Sequence, residues 1–245
     1  LTSILSACPT LVVLKLGNIT VDRVDDRAQP APVVMQHLKV LNLANMPPEA
    51  ACSTLSLCTV PGPCAELGIT LSHSSSLDGQ LVNFFARSKI ITLYCTLREC
   101  EGECDGCLYN NNCEGGVLKA LLWFPQRLPH TRTLVLHRFI LINALPDPLD
   151  IIPLPLASQA HIHHVVVLEC VVDFENLRRL VAHLGTRDLR LEKCTASTLI
   201  QYPHQQELER IRTSLVEVYP YLDCSTSDVD STEQLACRTI FDPWT

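Results

Sequence analysis

Glycine is scarce in this chain of 245 residues, with nine in all. Phosphate and dinucleotide loops need glycine wherever the backbone must approach a ligand, and neither G-x-G-x-x-G nor G-K-[ST] occurs. The metalloprotease signature H-E-x-x-H and the nucleophile elbow G-x-S-x-G are missing too. Basic residues are also short: 19 Lys and Arg stand against 26 Asp and Glu, for a net charge of -7. A nucleic-acid phosphate backbone is therefore a poor partner. No apolar run approaches the about 18 residues of a transmembrane helix, so a membrane partner is not expected. Aromatics make up only 5% and charged residues only 18%, while 47% of the chain is hydrophobic. That balance excludes disorder for most of the length and supplies a sizeable core. Taken together, the absences point away from catalysis, and the expectation is a protein that is not an enzyme.

What is abundant is leucine, 39 residues. Its arrangement repeats. The pattern L-x-x-L-x-L appears at Leu11-x-x-Leu14-x-Leu16 and at Leu38-x-x-Leu41-x-Leu43. Degraded copies follow at Cys64-x-x-Leu67-x-Ile69, Ile90-x-x-Leu93-x-Cys95, Thr131-x-x-Leu134-x-Leu136 and Val165-x-x-Leu168-x-Cys170. The last is Thr186-x-x-Leu189-x-Leu191, closed by Cys194. Counted at the second consensus position, the first steps are 27, 26 and 26 residues. These lie within the about 20–29 residues of a leucine-rich repeat. The next steps are 41, 34 and 21. The two long ones contain a cysteine-rich insertion at 99–116 and a proline-rich one at 145–157, which a repeat array accommodates in its loops.

Helical material lies between these units. Asp78 is placed to cap a helix bearing Leu81, Val82, Phe84 and Phe85, and Val117–Phe124 carries Leu118, Leu121 and Leu122 on one face. Asp173 is placed to cap a helix bearing Leu177, Leu180, Val181 and Leu184, with Gly185 just past its end. The clearest helical spacing runs over His204–Tyr219, stopped by Pro220. Ser225–Thr232 beyond it is polar and reads as a loop. Strand and helix in alternation predict an α/β fold, an irregular leucine-rich-repeat solenoid with a curved parallel sheet and helices on its convex side. Residues 1–200 would form the solenoid, and 201–245 a C-terminal helix and tail capping the stack.

The segments Leu128-Pro129-His130-Thr131-Arg132-Thr133-Leu134 and Leu38-Lys39-Val40-Leu41-Asn42-Leu43, with Cys8-Pro9-Thr10-Leu11 before a strand, resemble the leucine-rich region of F-box proteins of the divergent fungal type. The resemblance spans about Leu1 to Cys194. It implies the substrate-binding part of a ubiquitin-ligase receptor, with a protein partner or ligase substrate held on the repeats. No F-box is visible in the sequence, so the resemblance is to the recognition half. Residues alternating with the buried leucines would then face the concave surface. The partner-binding candidates are Lys15, Asn42, Tyr94, His137, Glu169, Asp188, Arg190 and Glu192. Tyr94 and Arg190 are the residue types most often found at binding hot spots.

The second chemical feature is a cluster of thiols. Cys100, Cys104, Cys107 and Cys113 lie within one insertion, and Cys104-x-x-Cys107 has zinc-knuckle spacing. The alternative reading is thus a zinc-stabilised or redox protein built on Cys100–Cys113. The same spacing occurs in radical-SAM enzymes, but Gly106 stands where that family places an aromatic residue. Surrounding carboxylates (Glu99, Glu101, Glu103, Asp105, Glu114) raise thiol pKa and disfavour thiolates. No cofactor is expected under the main reading. The chain opens at Leu1 inside a helical pattern, which reads as a fragment. Without a basic leader segment or a regular disulfide framework, an intracellular location, cytoplasmic or nuclear, is expected.

Overall fold

The computed structural model describes residues 1–17, 19, 31–43, 46–62, 65–71, 77–97, 130–141, 162–197 and 204–227. Both predicted insertions, the Val117–Phe124 helix and the four candidate zinc cysteines lie outside these residues.

Among the described residues, eight strands form one parallel sheet. They are β1 (Val13–Lys15), β2 (Val40–Leu43), β3 (Ala65–Leu71), β4 (Ile90–Leu97), β5 (Thr133–His137), β6 (His164–Leu168), β7 (Asp188–Glu192) and β8 (Asp223–Ser227). Each pairs with the strand before it and the strand after it, so spatial order is chain order. The helices are α1 (Thr2–Ala7), α2 (Pro48–Leu57), α3 (Leu77–Arg87), α4 (Phe174–Leu184) and α5 (His204–Val218). The fold is α/β, with a large parallel sheet flanked by helices.

The consensus positions explain the sheet. Leu14, Leu41, Leu67, Leu93, Leu134, Val165, Leu189 and Cys224 stand in one row across the eight strands. Two residues on, Leu43, Ile69, Cys95, Leu136, Val167 and Leu191 form a second row. Because side chains alternate along a strand, both rows face the same side. They merge with Leu55, Leu81, Phe84, Leu177, Leu180, Leu208 and Leu215 of the helices into a single core. Burying one such leucine contributes about 1.5–3 kcal/mol.

The pairing corrects the sixth repeat. Val165 and Val167, not Leu168 and Cys170, align with Leu134 and Leu136 on one side and Leu189 and Leu191 on the other. The steps after Leu134 are therefore 31 and 24 residues, in place of 34 and 21. Val165, Val166, Val167 and Leu168 are all apolar, so the sequence offers two registers and the neighbouring strands choose one. A second correction concerns residues 225–227 of the expected loop at Ser225–Thr232; residues 228–232 lie outside the described ones. Asp223–Ser227 is a strand, paired over five positions with β7, because Cys224 turns into the core while its neighbours face water.

The helices follow their signals unevenly. Asp173 caps α4 as expected: its Oδ1 accepts the Asn176 backbone N–H at 2.7 Å, and Gly185 closes the helix at φ 63. The helix α3 begins at Leu77, one residue ahead of the expected cap Asp78. The sequence reading missed α2, whose start is marked by Pro47 and Pro48. Arg87 of α3 ties down the end of α2, donating from Nε to the Cys58 carbonyl at 3.3 Å and from its terminal nitrogen to that of Leu55.

Three strands end in the same corner. Arg138, Glu169 and Lys193 each take a left-handed conformation, with φ of 61, 51 and 52. One buried residue follows each (Phe139, Cys170, Cys194), and then a two-residue strand. These strands, Ile140–Leu141, Val171–Val172 and Thr195–Ala196, form a second parallel sheet.

Candidate recognition face

The face of the sheet away from the helices carries the residues between the buried rows. Its central row is Lys15, Asn42, Gly68, Tyr94, Val135, Val166, Arg190 and Ser225. Seven of the eight partner-binding candidates lie on this face in strand positions: Lys15, Asn42, Tyr94, His137, Asp188, Arg190 and Glu192. Glu169 does not. The corrected register moves it from the strand to the left-handed corner after β6. Its side chain nonetheless reaches His137.

Exposure divides the candidates. Asn42, Tyr94 and His137 are 2%, 6% and 8% exposed, too little for an open contact surface. Tyr94 and Val135 pack with Val40 and Val166 as a small apolar cluster separate from the main core. Lys15, Asp188, Arg190 and Glu192 are half-buried, and Glu169 is exposed. Apart from Lys15 on β1, the accessible candidates therefore lie on β7 and at the corner after β6.

Two hydrogen-bonded groups organise that end. In the first, Thr96 Oγ1 lies 3.4 Å from His137 Nδ1, and His137 Nε2 lies 3.2 Å from Glu169 Oε2. Arg138 Nε donates to the same carboxylate oxygen at 3.2 Å. Burial pushes the His137 imidazole below its ordinary pKa, against the opposing pull of Glu169. Burial also acts to raise the Glu169 carboxyl, but the hydrogen bonds from Arg138 and His137 outweigh it and hold the group below the usual range. In the second group, Asp188 Oδ2 accepts from His164 Nδ1 at 3.0 Å and faces Arg190 Nε at 3.7 Å. Both groups join side chains directly across adjacent parallel strands, the sheet counterpart of pairing along a helix.

Further along the row occupied by His164 and Asp188 stands Glu66 on β3, a half-buried carboxylate that desolvation raises above its usual pKa. The alternation that sets residues opposite the buried leucines also puts Glu66 on this face, but nothing in its local sequence signals its partial burial.

What this face presents among the described residues is paired charges and hydrogen bonds. Among the described residues, no group of three or more His, Cys, Asp and Glu side chains is arranged to hold a metal ion. No helix of the described residues is long and apolar enough to cross a membrane. Set beside protein-family models, curated proteins and solved structures, the chain matches none of them.

Proposed function

We propose that the chain is a non-enzymatic protein-recognition module of leucine-rich-repeat architecture, whose sheet face away from the helices holds a protein partner. The observation that supports this reading is the strand order: eight parallel strands, adjacent in space in the order in which they occur in the chain. Units stacked in this way contact mainly their neighbours and spread one continuous surface over many strands, a design suited to binding extended partners. The finer form of the reading is the substrate-binding part of an F-box-type ubiquitin-ligase receptor, as the sequence resemblance implies. The location that goes with it is cytoplasmic or nuclear.

Comparative capture tests the reading. The wild-type chain and the Arg190→Ala/Glu192→Ala variant are immobilised in equal amounts, and retained proteins are quantified. The expected result is a protein held about tenfold less by the variant, equivalent to about 1.4 kcal/mol. The thermal midpoints of the two should agree. Identical retention by both chains, with both folded, would remove this face as the binding site. For the ligase role, co-purification of the full-length protein with a cullin adaptor is expected, and its absence would leave recognition without ligase assembly.

A further inference from the structure

We draw no further inference here: the strongest candidate, the surface patch of exposed apolar side chains (Leu1, Ile4, Val12 and Val13) at the β1 end of the sheet, carries none because nothing in the structure shows what covers it.

Discussion

The thiol of Cys194 donates to the backbone carbonyl of Val167, one strand away, at 3.0 Å. The same relation recurs one repeat earlier, where Cys170 donates to the Leu136 carbonyl at 3.4 Å. Each sulfur also lies close to the carbonyl two residues before it, at 3.3 Å for Cys170 and 3.5 Å for Cys194, and the Phe139 N–H donates to the Cys170 sulfur at 3.2 Å. These cysteines follow the left-handed corner residues Glu169 and Lys193, where backbone groups turn away from the ladder. The Cys170 sulfur is the acceptor for the Phe139 N–H, a buried donor that needs a partner.

Cys170→Ala should therefore cost more than the loss of one small side chain. It strands the Phe139 N–H and leaves a void, for an expected loss of about 2–4 kcal/mol. Cys170→Ser, which keeps a donor and acceptor, should recover part of that. Denaturant unfolding of both variants checks the order. In the native chain burial pushes the Cys194 thiol up to about 12 and Cys58 likewise to about 12. A thiolate-selective reagent at neutral pH should accordingly modify exposed Cys8 long before either of them.

The ends of α4 offer a test of local sequence signals. Asp173→Ala removes the side-chain acceptor of the Asn176 N–H and should cost about 1 kcal/mol. Gly185→Ala places a side chain at φ 63 and should cost about 1 kcal/mol as well. Replacing Lys193, a left-handed residue without glycine's freedom, by Gly should cost little, while Lys193→Val should be clearly worse. Thermal unfolding of the four variants decides the ranking.

Thr186 is fully buried, and its Oγ1 finds no hydrogen-bond partner among the described residues. The equivalent hydroxyl of Thr131 donates to the Ile90 carbonyl at 3.0 Å. Thr186→Val keeps the shape and removes an unsatisfied group, so a gain of about 1 kcal/mol is expected. Thr131→Val should lose stability instead. The opposite signs at one repeat position make the pair a sharper measurement than either alone.

The pH dependence of stability follows from the polar ladder. His137 binds a proton less readily folded than unfolded, so its contribution is complete above 6.5 and is lost as pH falls through that value toward the folded pKa. Glu169 is held below 4.5, so its contribution is present above that value and disappears as pH falls through its folded pKa. Both changes weaken the fold in acid. Glu66 has the opposite sign, since burial raises its carboxyl and its ionised form penalises the fold at neutral pH. Midpoints measured from pH 7 to pH 4 should fall less steeply for His137→Gln. Glu66→Gln should be more stable than wild type at pH 7 and lose that advantage near pH 4 (about the range of an unperturbed carboxylate).

Much of this architecture could be read from the residues. The apolar positions of the first four units, L-x-x-L-x-L in two and its degraded copies in the other two, specify both register and face, because one alternation puts the last two positions of each on the same side. Asp173 and Gly185 mark α4 because capping is local chemistry. Ambiguity arises where neighbouring choices are equally apolar. The Val165–Leu168 run fits two registers, and only pairing with Leu134 and Leu189 selects the one that places Glu169 at a corner. Polar segments hide strands for the converse reason: Asp223–Ser227 looks like a loop until β7 supplies its hydrogen bonds.

Scarce glycine and abundant leucine thus determined the class of the protein by themselves, a packed α/β chain without a glycine-rich phosphate loop. Tertiary structure alone decided which face residues are accessible. Asn42, Tyr94 and His137 alternate with core leucines as Arg190 and Glu192 do, yet they are buried and the others are not. Alternation fixes only the side of the sheet to which a residue points. How much water reaches it depends on neighbours brought in from distant strands, as Thr96 and Glu169 are brought to His137.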